Sequence, residues 1–149
     1  MRKAFPLLLI ALLLSACAVA LGPQRTPEAA YRLEVAEFRA QADAIGRRIS
    51  LGLGAHNAGN DGAQWADVPA AIADFDTVLT DAAQIEPPII YQTAHRDMLA
   101  AIEAFGLAMV RLTQYVETGR QDRYNDFNNQ MRSGNAALRR LVAAVPAPD

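Results

Sequence analysis

Residues 91–116 read YQTAHRDMLAAIEAFGLAMVRLTQYV, and in them Tyr91, His95, Met98, Ile102, Phe105, Met109, Leu112 and Val116 recur in alternating steps of four and three. Such steps follow the turn of an α-helix and lay one apolar stripe along it, with Arg96, Glu103 and Arg111 on other faces. Pro87-Pro88 before this stretch ends any preceding helix and can open a new one, and Thr118-Gly119 after it is a stop. The segment is therefore a long amphipathic helix that needs partners for one side.

Partners with the same stripe lie on both sides of it. Upstream, Thr26-Pro27-Glu28 is a cap, a first-turn proline and an early acid. Tyr31, Val35, Phe38, Ala42, Ile45 and Ile49 follow in the same steps, which predicts a helix to about Ser50. Gly52 to Gly62 holds four glycines, Asn57, Asn60 and Asp61, and reads as a loop. Asp67 is the expected cap of a second helix carrying Val68, Ile72, Phe75, Leu79, Ala82 and Ile85, with Pro69 tolerated only in its first turn. Downstream, Tyr124, Phe127, Met131, Gly134, Leu138, Leu141 and Val145 predict a fourth helix that Pro146 ends. No segment alternates as a strand would. The fold expected is all-α: an antiparallel up-down four-helix bundle over residues 27–146, with 147–149 as a tail. A three-helix core with the first helix detached is the structural alternative. Gly46, Gly106 and Gly134 fall inside predicted helices, where they would let neighbours approach closely.

The first seventeen residues carry a different signal. Met1-Arg2-Lys3 is a basic start, Ala4 to Leu14 is almost wholly apolar, and Ser15-Ala16 are small. These are the three parts of an export signal, and the apolar run is too short for the ~20 residues a membrane span needs. Leu14-Ser15-Ala16-Cys17 resembles the lipobox of bacterial lipoproteins, and the only cysteine of the chain stands at the position the motif requires. The resemblance covers about the first twenty positions. It implies that residues 1–16 are removed, that Cys17 is diacylated and becomes the mature N-terminus, and that residues 17–26 form the lipidated cysteine and a tether. Two acyl chains suffice for stable attachment where one does not. Ala18 implies the outer membrane in a diderm cell, facing the periplasm; in a monoderm the anchor would sit on the outer face of the cell membrane.

Cleavage would leave 133 residues, one ordinary domain, and take the net charge from −2 to −4. A mildly acidic chain with no basic cluster argues against a nucleic-acid partner and against docking on anionic lipid. The partners expected are the membrane, through Cys17, and an envelope protein.

In an up-down bundle, Tyr31, Tyr91 and His95 belong to neighbouring layers at the tethered end. One reading makes them a site for a small molecule, metal or haem, because imidazole titrates near neutrality and ligates metals. The other satisfies His95 internally through a tyrosine hydroxyl, a carbonyl or water, as buried polar groups usually are, and is the preferred one. Met98 shares the helix face of His95 and so cannot ligate opposite it across a flat ring. No Glu-x-x-His pair or Cys-x-x-Cys-His run occurs, and no cofactor is expected. Trp65, near Tyr115 and Tyr124 at the far end, either seals the core or, with Tyr124, forms a partner contact. His56 sits in the glycine-rich segment and reads as solvated. No nucleophile elbow, phosphate-cradling loop or spaced carboxylate pair is present, so the protein is read as a non-enzymatic interaction or structural module with no catalytic residue.

Overall fold

The computed structural model describes residues 25–148. The signal sequence, Cys17 and most of the tether lie outside the described residues, as does Asp149.

Within them the chain is helical, with no strand. α1 spans Pro27–Asn57, α2 is the short turn Ala63–Ala66, α3 spans Val68–Ala82, α4 spans Gln92–Thr118 and α5 spans Gln121–Ala144, with a 3-10 turn at Ile89–Tyr91 ahead of α4. Thr26 caps α1 as its residue type suggests: its backbone is extended and its hydroxyl accepts from the Ala29 N–H at 3.2 Å. At 31 residues α1 is about 46 Å long.

Helix α1 does not stop near Ser50. It runs through Gly52, Leu53 and Gly54, so much of the segment read as a loop is helix. Gly52 is buried, and a Cβ there would strike the Val68 side chain and stand 2.6 Å from the Gln64 carbonyl oxygen. The glycine serves the close passage of α2 and α3 across α1, not a turn. The turn falls to Gly59, which adopts a left-handed φ of 75° and returns its N–H to the His56 carbonyl.

Asp67 also departs from expectation. Its backbone is already helical and its carboxylate caps nothing; it turns instead to Arg48 of α1. Helix α3 ends at Ala82, one turn short of Ile85, whose N–H bonds the Ala82 carbonyl in the following turn. Helix α5 begins at Gln121, one turn before Tyr124. Gly119 stops α4 with a φ of 67° and donates its N–H to the Tyr115 carbonyl at 2.8 Å.

The four long helices bury their stripes against one another. Tyr31, Val35, Phe38, Ile45 and Ile49 of α1 are all in the core, so the first helix is not detached. Helices α4 and α5 lie closest and run back along each other: Tyr115 meets Tyr124 at one end, Phe105 lies on Gly134 in the middle, and Asp97 pairs with Arg140 at the other. Phe75 of α3 meets Phe105 edge to face, with ring centroids 5.5 Å apart. Of the three glycines expected to admit a neighbour, Gly134 does so under Phe105. Gly106 has one distant contact, with Leu79, and Gly46 has none within 4 Å. By length and composition the stretch Ile89–Thr118 is apolar enough to cross a membrane, but the stripe of α4 within it, from Ala94 to Tyr115, is buried.

Candidate functional site

Tyr31, Tyr91 and His95 do come together at the end where α1 begins. Tyr31 stacks on Tyr91 with ring centroids 5.3 Å apart and 22° between planes. Its hydroxyl lies 3.1 Å from His95 Nδ1, and both residues are buried. With neutral imidazole carrying its proton on Nε2, the tyrosine O–H donates and Nδ1 accepts. Burial lowers the pKa of His95. Burial, aided by the charge of Glu34 and by Tyr91, pushes Tyr31 up to about 12. Both groups are held neutral near pH 7, so the pair is a hydrogen bond tying α1 to α4. A proton relay would need one member poised to ionise.

A pH dependence follows. The folded protein resists protonation of His95 while the unfolded chain accepts it at the ordinary value of 6.5. Stability contributed by the neutral ring is therefore complete above about pH 6.5 and declines as pH falls from there through the lowered folded value. His95→Gln, which keeps hydrogen-bonding capacity and does not titrate, is expected to flatten this decline between pH 7.5 and about 5. Urea midpoints measured across that range for both proteins test it; parallel curves would refute it.

Beside Tyr31 an open cleft of about 640 Å³ runs between Pro27 of α1 and the Pro87-Pro88 turn. Its wall carries Glu34, Asp81 and Glu86, and the occupied His95 Nδ1 does not point to a ligand there. Among the described residues no three His, Cys, Asp or Glu side chains converge as a metal site requires.

The far end is a run of rings. His56 is not in a solvated loop: it ends α1, stacks on Trp65 with centroids 4.0 Å apart, and places Nδ1 2.5 Å from Asp61. Its edge meets Tyr115, which continues to Tyr124 and Phe127. Trp65 and Tyr124 are half-buried against the core, so each ring closes the helix ends and leaves part of its surface to solvent.

One cluster escaped the sequence reading. Arg48 grips both Asp67 oxygens, at 2.9 and 2.8 Å, and its remaining nitrogen reaches Asp74. The guanidinium holds the Asp67 carboxyl below the usual carboxylate range. The only signal was that Asp67 has two uses, cap or ion-pair partner, and spacing does not choose between them. The cluster is exposed to solvent and ties α1 to the start of α3.

Comparison of the chain with protein-family models, with curated proteins and with solved structures gave no match.

Proposed function

We propose that this chain is a lipid-anchored extracytoplasmic protein whose helices close into an antiparallel up-down four-helix bundle, and that it acts without catalysis, as a structural or partner-binding module of a bacterial envelope. The observation that carries the reading is Leu14-Ser15-Ala16-Cys17, placed behind a basic start and an apolar run, with the sole cysteine at the acylated position. The bundle order draws support from two helix pairs. α1 and α3 join through Arg48 with Asp67 and Asp74, α4 and α5 run back along each other, and Phe75 and Phe105 link the pairs. Absence of a basic cluster speaks against nucleic acid as a partner. The solvent-facing parts of Trp65 and Tyr124 are the surface we assign to an envelope protein, since such rings dominate binding hot spots.

The alternative, a carrier of a small molecule, metal or haem near His95, draws on the cleft beside Tyr31. It is the weaker reading because Tyr31 already occupies His95 Nδ1 and the cleft is open and acidic.

Mass spectrometry of the processed protein from a diderm host is the test. The expected product begins at Cys17 with added diacylglycerol and fractionates with membranes, whereas Cys17→Ser leaves the membrane fraction or stays unprocessed. A mature chain starting elsewhere, without lipid, would refute the anchor. A Trp65→Ala protein that keeps its fold should lose its cross-linked envelope partner; full retention would move the contact off that face.

A further inference from the structure

The connection between α3 and α4 ends Glu86-Pro87-Pro88-Ile89-Ile90-Tyr91. Ile89 and Ile90 are 85% and 65% exposed, more than any other large apolar residue among the described residues. A single apolar side chain in water needs no account, but two adjacent ones this exposed on one turn form a patch. The turn is also stiff. Pro87 and Pro88 fix φ, and the Tyr91 N–H closes a 3-10 turn on the Pro88 carbonyl at 2.9 Å. From below, Tyr91 is stacked on Tyr31, whose hydroxyl is held by His95. These contacts fix the residue that follows the isoleucines.

Position supplies the occupant. Pro27 and Ala30, in the first turn of α1, line the same cleft as Pro87 and Pro88. The start of α1, which leads back to Cys17, therefore shares a cleft with the proline pair that precedes the isoleucines. Residues 18–26 reach at most about 30 Å when extended. An anchor on Cys17 would keep this end, and not the Trp65 end, next to the bilayer at high effective concentration.

We infer that Ile89 and Ile90 insert into the interfacial zone of the same bilayer that holds the Cys17 lipid, so that the helices stand on the membrane by a lipid and a proline-stiffened apolar tip. This rests on the lipid-anchor reading. Glu34, Asp81 and Glu86 behind the tip oppose an anionic surface and suit a zwitterionic leaflet with ammonium-bearing headgroups. The aromatic far end would then project away from the surface, along the length of α1.

The full chain, processed in a diderm host and weighed for its lipid, is reconstituted in vesicles of equimolar phosphatidylethanolamine and phosphatidylcholine. Acylation occupies the only native thiol, so Ile90→Cys, or Asn60→Cys at the other end, offers a single free thiol for an environment-sensitive fluorophore. The label at position 90 is expected to shift to the blue and be quenched several-fold by a nitroxide high on the acyl chains; the label at 60 should do neither. Adding Ile89→Asp should remove most of the quenching at 90. A chain without lipid mass brings down the anchor reading and this inference together. A chain that carries lipid and floats with vesicles, yet stays unquenched at 90, overturns the tip alone. A blue shift that needs no vesicles and fades on dilution puts a second copy on the tip and overturns it also.

Discussion

Gly52→Ala is expected to destabilise the protein by about 1–3 kcal/mol, the usual cost of overpacking a filled site. Replacing a helical glycine by alanine ordinarily works the other way, by up to about 1 kcal/mol in favour of the helix. At Gly52 the surroundings reverse the sign. The new methyl would meet Val68, which is fully buried, and the Gln64 backbone carbonyl, which cannot rotate aside. Relief requires α2 and the start of α3 to lift from α1, which would strain the Arg48–Asp67 pair. Gly46 provides the internal control. It lies in the same helix, and a Cβ there meets nothing within 4 Å. Gly46→Ala should therefore stabilise by about 0.5–1 kcal/mol. Urea unfolding of the two variants against the parent tests the pair: opposite signs are expected, and a stabilising Gly52→Ala would refute the close approach.

The same two glycines show how far the sequence could be read. The stripe in each long helix was legible because a four-three alternation has one physical solution, a helix with a single buried side. Glycine does not carry its reason with it. Gly52 looks like punctuation beside Gly54, Gly59 and Gly62, yet only contact with Val68 and Gln64 shows that it admits a neighbour. Gly134 stands on the apolar stripe of its helix and Gly46 stands off its own, and that difference matches what each meets: a ring lies over Gly134, and Gly46 faces open space. Boundaries failed for related reasons. Asp67 reads as a cap because it precedes an apolar stripe, but a bidentate arginine nineteen residues earlier claims its carboxylate. At the candidate site, layer counting was enough to bring Tyr31, Tyr91 and His95 together. Which nitrogen His95 uses, and that Tyr31 occupies it, depends on side-chain geometry that spacing does not encode. The exposed isoleucines are not legible from Pro87-Pro88, which marks where one helix ends and the next can begin but not what the turn between them exposes. Their significance comes from the first turn of α1, which lines one cleft with the Pro87-Pro88 pair before them.

Phe105→Ala is expected to cost about 3–5 kcal/mol, among the largest effects of any single truncation here. Phe105 is 2% exposed, meets Phe75 edge to face, and covers Gly134 in the contact between α4 and α5. Its removal leaves a cavity that three helices would have to close. Gly134→Ala alone should cost about 1–3 kcal/mol, because a Cβ at 134 would stand 2.5 Å from two ring carbons. The double variant separates this packing from ordinary helix propensity. Once Phe105 is alanine, the methyl at 134 meets no ring and partly fills the cavity, so Gly134→Ala becomes neutral or stabilising. The two costs should then fail to add, with a coupling of about 0.5–3 kcal/mol in the cycle. Additive costs would mean that Gly134 is not what lets Phe105 in. The stripe of α4 would then be held by its other buried residues, Met98, Met109 and Leu112.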